Sequence, residues 1–446
     1  MSISATSGVV SNIDYQTLIS QLVGARRQSI NQLNTEKSTL ERANSVYSSL
    51  STRVQDLKTA AEDLKTASSF KVFKSSVSDS AMMGATTTST ATTGKYDIKI
   101  SALAKSHQIA ADGVALDTST IAAGPGSFSF QLGTGAVQTV SVDATTTLTG
   151  LKDSINALKA GVTATIANDG SGPNPYRLIL KSDSTGTANS VAITQNDTSL
   201  AFSTTLQAAQ DASLTVDGMT YTRSSNSVSD ILTGVTLDLK SADNTKTFTL
   251  SVDRDTAEIT NKITALTEKY NGILTHIKTN NRYDTDLKVA GALFGDSVAR
   301  SINDDLRRTM TSAVSGLPDT MNRLLHAGVT SDSDGNFTVD STKLTEALTN
   351  NFDAVVNLFA DNTATGGIKG FGGLISDMAN SIDDAVDGRI KSRQDGLNKN
   401  IDRIDEDVLN KETAISAYEE QLRSQFMGLE TMLATIKSQS NFLMGL

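Results

Sequence analysis

Apolar residues recur every three or four positions at both ends of the chain and alternate with polar ones in the middle. Near the N-terminus Tyr15, Leu18 and Leu22 form a short seam. After a step past Arg26 it resumes as Ile30, Leu33, Leu40, Tyr47, Leu50, Val54, Leu57, Ala61 and Leu64. Spacings of three and four, or of seven, put these side chains on one stripe of a coiled-coil helix. Lys37 and Asn44 fall on the same stripe and make it imperfect. Asp14 is placed to cap this helix, because its carboxylate can accept from the free N–H groups of the first turn. The C-terminal end repeats the pattern through Leu397, Ile401, Ile404, Val408, Ile415, Tyr418, Leu422, Phe426, Leu429, Leu433, Ile436 and Leu443. One four-four step, at Tyr418–Leu422–Phe426, marks a local slip of register. As helices, residues 14–67 and 389–443 would each extend about 80 Å. Their similar lengths predict that they pair with each other, one running up and one down. A compact domain rarely needs helices of that length, which disfavours packing each on the middle of the chain.

The middle has another period. Residues 84–94 hold only Gly, Ala, Ser and Thr and read as extended chain or loop. Short alternating runs follow at Tyr96–Ile100, Phe128–Phe130, Val137–Val142, Tyr176–Leu180, Leu214–Val216, Val235–Leu239 and Phe248–Val252, the pattern of half-buried strands. One helix interrupts them, with Leu148, Leu151, Ile155 and Leu158 on one face. Helical spacing returns at Ile259, Ile263, Leu266, Tyr270 and Leu274, with further helices expected at 294–312, 341–360 and 374–387. The four prolines, Pro125, Pro173, Pro175 and Pro318, leave both ends of the chain unbroken. The class is therefore α+β, with a β-rich insertion between long terminal helices.

Composition narrows the chemistry. Of 446 residues 38% are hydrophobic and 5% aromatic, with no Trp, so the chain can fold but is poorer in core material than an average enzyme. A net charge of −10 without a basic block disfavours nucleic acid and anionic membranes as partners. The absence of Cys excludes disulfides, thiolate nucleophiles and Cys-ligated zinc. The three histidines, His107, His276 and His326, lie far apart in sequence. No stretch reaches the roughly 18 apolar residues of a membrane span, and no basic region precedes an apolar core as in a secretory signal. Asp332–Asp340 resembles a calcium loop, but the positions that need Gly and Glu hold Phe337 and Lys343. Asp334-Gly335 reads better as a hairpin turn, and Asp340 or Ser341 as the cap of the helix carrying Leu344 and Leu348. The glycines of 366–373 lack phosphate-loop spacing and read as a hinge. No nucleophile elbow is present. The acidic run Asp402, Asp405, Glu406 and Asp407 reads as a solvated face. Residues 14–67 carry seven basic and six acidic side chains and residues 374–446 eight and thirteen, a mild complementarity that supports their pairing.

Taken in order, several segments resemble one family. Gly8–Val23 is similar to the opening of the flagellar filament cap proteins (hook-associated protein type 2, the FliD family), and Gly94–His107 to that family's first β segment. Leu151–Val162 with Tyr176–Ser182 resembles the hook IN motif shared among flagellar axial proteins. Asp211–Gly218, Gly234–Leu237, Asp334–Asp340 and Phe352–Phe359 resemble parts of the family's C-terminal half. The resemblance implies a non-enzymatic protein without cofactor or metal. It implies a terminal coiled-coil leg (1–45 and 395–446) and a helical shoulder (46–70 and 253–394). It also implies a β-rich head domain (71–110 and 211–252) and an outer β-rich head domain carrying the hook IN motif (111–210). It implies export unfolded through the flagellar type III channel, then a homo-oligomeric ring, taken as a pentamer, at the filament tip outside the cell. There it would confine flagellin and promote its folding and insertion. Implied partners are flagellin, the hook–filament junction proteins and, before secretion, a cytoplasmic export chaperone. Leu18, Leu22, Phe426, Leu429, Leu433, Ile436 and Leu443 are the residues expected to pack the leg and anchor it in the filament. The alternatives are a hook–filament junction or flagellin-like axial protein and a surface adhesin.

Overall fold

The structure, a computed structural model, describes residues 14–443 apart from 171, 287 and 363–366. It divides into two compact units, residues 71–256 and residues 1–70 with 257–446. Chain order begins in the second of these with α1, Tyr15–Glu62, whose N-cap Asp14 accepts from the Thr17 N–H at 3.0 Å.

The unit of residues 71–256 is built from antiparallel strands around two apolar clusters. Its elements are β1 (Phe73–Val77), β2 (Met83–Thr87), β3 (Gly94–Ala102), β4 (Ser106–Ala110), β5 (Gly126–Leu132), β6 (Gln138–Val142), α2 (Leu148–Ala157), β7 (Val162–Asn168) and β8 (Tyr176–Thr185). They continue with β9 (Val191–Asn196), β10 (Thr204–Gln207), β11 (Ala212–Val216), β12 (Met219–Arg223), β13 (Ser227–Leu232), β14 (Val235–Leu239) and β15 (Phe248–Arg254). The sheets β1-β15-β3-β11-β12 and β13-β14-β2 enclose Ile98, Ile100, Leu214, Leu237, Leu250 and Val252. The sheets β10-β4-β8-β7 and β6-β5-β9, with α2, enclose Phe128, Phe130, Leu151, Ile155, Leu178 and Leu180. Inward residues alternate along the strands, so the period-two pattern and the register agree. Asp217 and Gly218, both at positive φ, close the two-residue turn between β11 and β12 and pair Val216 with Met219. Part of the Gly/Ala/Thr stretch, expected as loop or extended chain, is the strand β2. It is added to β14 in register from Val235↔Thr87 to Leu239↔Met83.

The other unit continues with α3 (Thr256–Asn280), the hairpin β16–β17 (Tyr283–Asp284 and Val289–Ala290) and α4 (Ser297–Thr311). Then come the hairpin β18–β19 (Val329–Ser331 and Phe337–Val339), α5 (Ser341–Asn350), α6 (Phe352–Phe359), α7 (Phe371–Asp383) and α8 (Arg389–Leu443). Asp334-Gly335 is the turn of the second hairpin, and Asp340 caps α5 by accepting from Thr342 and Lys343 N–H groups. The single helix expected at 341–360 is two, because Asn351 leaves the helical region at φ −136 and ψ 43. The inner half of α1 buries Tyr47, Leu50, Val54, Leu57 and Ala61. Ile263, Leu266 and Ile273 of α3, Ile302 and Leu306 of α4, and Ile375 and Ile382 of α7 are buried as well. Of the glycines expected as a hinge, Gly372 and Gly373 lie inside α7 and Gly370 is its N-cap, while Gly366 lies outside the described residues. A Cβ on Gly372 would come within 2.8 Å of the Ala61 carbonyl and the Lys65 backbone, so α7 approaches the end of α1 more closely than any side chain permits.

Candidate functional site

The two terminal helices meet along most of α1. Tyr15 stacks on Phe426 with centroids 4.6 Å apart, and the Arg26 guanidinium lies 3.7 Å over the Tyr418 ring. Lys37 reaches Asp405 at 2.8 Å, Asn44 donates to the Asn398 side chain at 2.9 Å, and Gln394 donates to Ser48 at 2.9 Å. Rising numbers on α1 meet falling numbers on α8, so the pair is antiparallel. Between the aromatic and polar contacts sits a small apolar cluster of Ile19, Val23, Ile30, Ile415 and Leu422, with Val408, Tyr418 and Phe426 packed at its edge.

The seam corrects one expectation. Its outer turns run through Tyr15, Ile19 and Val23, not through Leu18 and Leu22, which are 43% and 38% exposed. One residue is 100° of helix. From Val23 the next seam residue, Ile30, is seven away, which keeps the stripe in line; from Leu22 it is eight. The gap is spanned by Arg26, whose flat cation covers Tyr418 in place of an apolar side chain. On α8, Phe426 and Leu433 are half-buried, whereas Leu429 and Ile436 are 44% and 51% exposed. Since Tyr15 already meets Phe426, the stretch Met427–Leu443 runs past the first described turn of α1. Leu443 ends α8, and its side chain lies outside the described residues. Among the described residues Leu18, Leu22, Leu429 and Ile436 are thus not part of the seam. Met427 and Met432 add to the apolar surface they leave exposed.

Three helices are tied together where the paired helices enter the bundle. Asp296 caps α4 by accepting from the Val298 and Ala299 N–H groups at 2.9 and 3.1 Å. The same carboxylate accepts from the Tyr47 hydroxyl of α1 at 2.6 Å and from Arg393 of α8 at 3.0 Å. Burial pushes the Asp296 carboxyl up, but the bonds from Tyr47, Ala299 and Arg393 outweigh it and hold it below its ordinary value. Burial and the bonded carboxylate together raise the Tyr47 phenol well above its ordinary value. Gly295-Asp296-Ser297 is legible in the sequence as a cap signal; its partners, 249 and 97 residues away, are not.

Among the described residues no cluster of three or more His, Asp or Glu side chains is arranged to hold a metal. No described helix is long and apolar enough to cross a membrane. His276 is occupied by the Val46 carbonyl and His107 by the Val191 N–H.

Comparison with known proteins gives the same reading from end to end. The family models for the flagellar hook-associated protein 2 N-terminus and C-terminus match residues 11–107 and 209–438, and the flagellin hook IN motif matches 127–184. The chain is 29% identical to flagellar hook-associated protein 2 of Escherichia coli K12, covering 98% of this chain and 96% of that protein. It is 27% identical to the B-type flagellar hook-associated protein 2 of Pseudomonas aeruginosa, covering 95% and 93%. The crystal structure of the D1-D2-D3 domains of the Escherichia coli flagellar cap protein FliD superposes with a TM-score of 0.64 at 28% identity, covering 79% of this chain and 99% of that one.

Proposed function

The chain belongs to the flagellar hook-associated protein 2 family of flagellar cap proteins, and on that premise we propose that it caps the distal end of the bacterial flagellar filament, confining exported flagellin and promoting its folding and insertion. The family is structural, so the mechanism contains no covalent step. The observation that carries the proposal is the paired terminal helices. Their inner seam is filled by the chain's own Ile19, Val23, Ile30, Ile415 and Leu422, yet Leu18 and Leu22 stay exposed beside it and Leu429 and Ile436 beyond its described end. A solvated protein gains nothing by exposing such a stripe. A filament whose subunits present helices can cover it, at roughly 1.5–3 kcal/mol per large side chain.

The four-part division proposed from the sequence supports this role. A leg of residues 1–45 and 395–446 anchors, a shoulder of 46–70 and 253–394 holds the leg, and the head domains of 71–110 with 211–252 and of 111–210 form the confining plate. The proposed assembly is a homo-oligomeric ring, taken as a pentamer, outside the cell at the flagellar tip, reached by flagellar export with the help of a chaperone. Flagellin and the hook–filament junction proteins are its proposed partners. Deletion of the gene tests this. The deletion strain is expected to release flagellin monomers into the medium and to build few filaments, and a plasmid copy to restore them. Normal filaments in the deletion strain would refute capping, and loss of surface attachment alone would favour an adhesin.

A further inference from the structure

The turn between α7 and α8 is a rigid acidic knob with an apolar tip. Asp384 accepts from the Val386 and Asp387 N–H groups at 2.8 and 3.0 Å, and its carbonyl accepts from Gly388 N–H at 3.1 Å. A Cβ on Gly388 would lie 2.4 Å from the Asp384 backbone, so the turn is closed tightly on itself. Val386 at its tip is 79% exposed, beside the exposed Asp384 and Asp387. A turn so firmly held that ends in a solvated valine has the form of a docking element.

A matching socket lies across the same helical bundle. Ile277 and Lys278 of α3, Asn281 just beyond its end, and Arg300, Asn303 and Arg307 of α4 line a cleft of about 390 Å³. Asp334, also on its wall, is paired with Lys278 at 3.3 Å, and no other carboxylate lines the cleft among the described residues. No ion-pair partner is found for Arg300 or Arg307 among the described residues, which leaves the cleft with excess positive charge. Knob and socket flank α1 on opposite sides. The α7 end binds Ser51 and Gln55 through Asp383, whereas α3 meets Asp56 through Lys269 and Arg53 at Gly272. They are also level along the bundle, because Arg389, one residue beyond the knob, bonds to Ser301 and Asp305 between the two free arginines of α4.

We propose that the 384–387 knob of one copy docks in the Lys278–Arg300–Arg307 cleft of the next copy, a head-to-tail contact that closes the ring. The occupant is a second copy because the two surfaces are complementary in charge, lie on opposite flanks at one level, and belong to one chain. Contacts of this kind repeat around a rotation axis. The proposal rests on the ring assumed in the proposed function.

The test uses sedimentation velocity on the full chain and two variants changed only at exposed residues, V386K/D387K and R300E/R307E. Each variant is expected to keep the wild-type thermal midpoint and to associate at least about tenfold more weakly, as when rim and pocket charges oppose. Each variant retains one good surface. An equimolar mixture of the two is therefore expected to associate again, the unchanged knob meeting the unchanged cleft and the lysine knob the glutamate cleft. Rings formed by either variant alone, or a mixture that stays monomeric, would overturn the knob-and-socket contact while leaving the ring itself standing. A wild-type chain that is monomeric at every concentration would overturn both.

Discussion

The Tyr47 hydroxyl donates to the Asp296 carboxylate at 2.6 Å, joining the middle of α1 to the first turn of α4. Arg393 of α8 takes the other oxygen at 2.9 Å, and the Asp296 side chain is only 7% exposed. One carboxylate therefore serves as helix cap, hydrogen-bond acceptor and ion-pair partner at the point where the paired helices begin.

Replacing Asp296 by Ala should cost about 2–4 kcal/mol, because it leaves the buried Tyr47 hydroxyl without its acceptor and uncaps α4. Tyr47→Phe removes one bond and should cost about 1–2 kcal/mol. Denaturant unfolding of each variant measures both. The order of the two costs is the diagnostic; a Tyr47→Phe loss as large as that of Asp296→Ala would contradict it.

The same knot predicts a two-sided pH profile. The Asp296 carboxyl is held below its ordinary value, so its contribution is present above about pH 4 and is lost as the pH falls through the lowered folded value. The Tyr47 phenol is raised above 10, so its contribution is full below pH 10 and fades as the pH rises beyond it. Asp296→Asn should flatten the acid limb, measured as unfolding free energy against pH. An unchanged acid limb in that variant would place the titration elsewhere.

The outer helix pair should open before the bundle. Its cluster of Ile19, Val23, Ile30, Ile415 and Leu422 is separated from the buried Tyr47–Ala61 face by the polar pairs Lys37–Asp405 and Asn44–Asn398. Hydrogen exchange of the free protein should show amides of 19–36 and 408–430 exchanging well ahead of 47–61. Equal protection along α1 would count against a separately opening leg.

Asn44 and Asn398 should set the register at some cost in stability. Among the described residues the Asn44 Oδ1 is buried without a partner, and a polar layer in a coiled-coil seam disfavours slipped pairings. The double substitution to Leu should raise the stability of the pair by about 1 kcal/mol, since it removes the buried, unpartnered Asn44 Oδ1 while Asn398 is exposed. It should also broaden the spin-label distance between positions 20 and 420 from one value to several. A single sharp distance in the double variant would remove the register role.

The sequence made much of the fold legible for reasons of period. Both terminal helices, the caps Asp14 and Asp340, the turn Asp334-Gly335 and strands such as Val235–Leu239 follow from local spacing and cap chemistry alone. What stayed hidden depended on distant partners. Leu18/Leu22 and Ile19/Val23 are equally apolar stripes 100° apart, and only the position of α8 decides which faces inward. Asn351 interrupts a helix that its neighbours would continue. Gly372 needs the Ala61 carbonyl to explain it, and Asp296 needs Tyr47 and Arg393.

Anchoring should be separable from folding. Leu429 and Ile436 are exposed and Leu433 is half-buried beyond the described part of α1. Their joint replacement by Ser should leave the thermal unfolding of residues 71–256 unchanged. Cells carrying the triple variant should shed flagellin and make few filaments. A ring-forming triple variant that builds filaments of normal length would refute anchoring through this stripe.

Position on the filament tests the central claim most directly. Sheared filaments from cells expressing the chain, labelled with gold-conjugated antibody against it and imaged in negative stain, should carry label at one end only. That end should be the distal one, identified by the absence of a hook. Label along the shaft, at the hook junction or on the cell body would contradict a role as the filament cap.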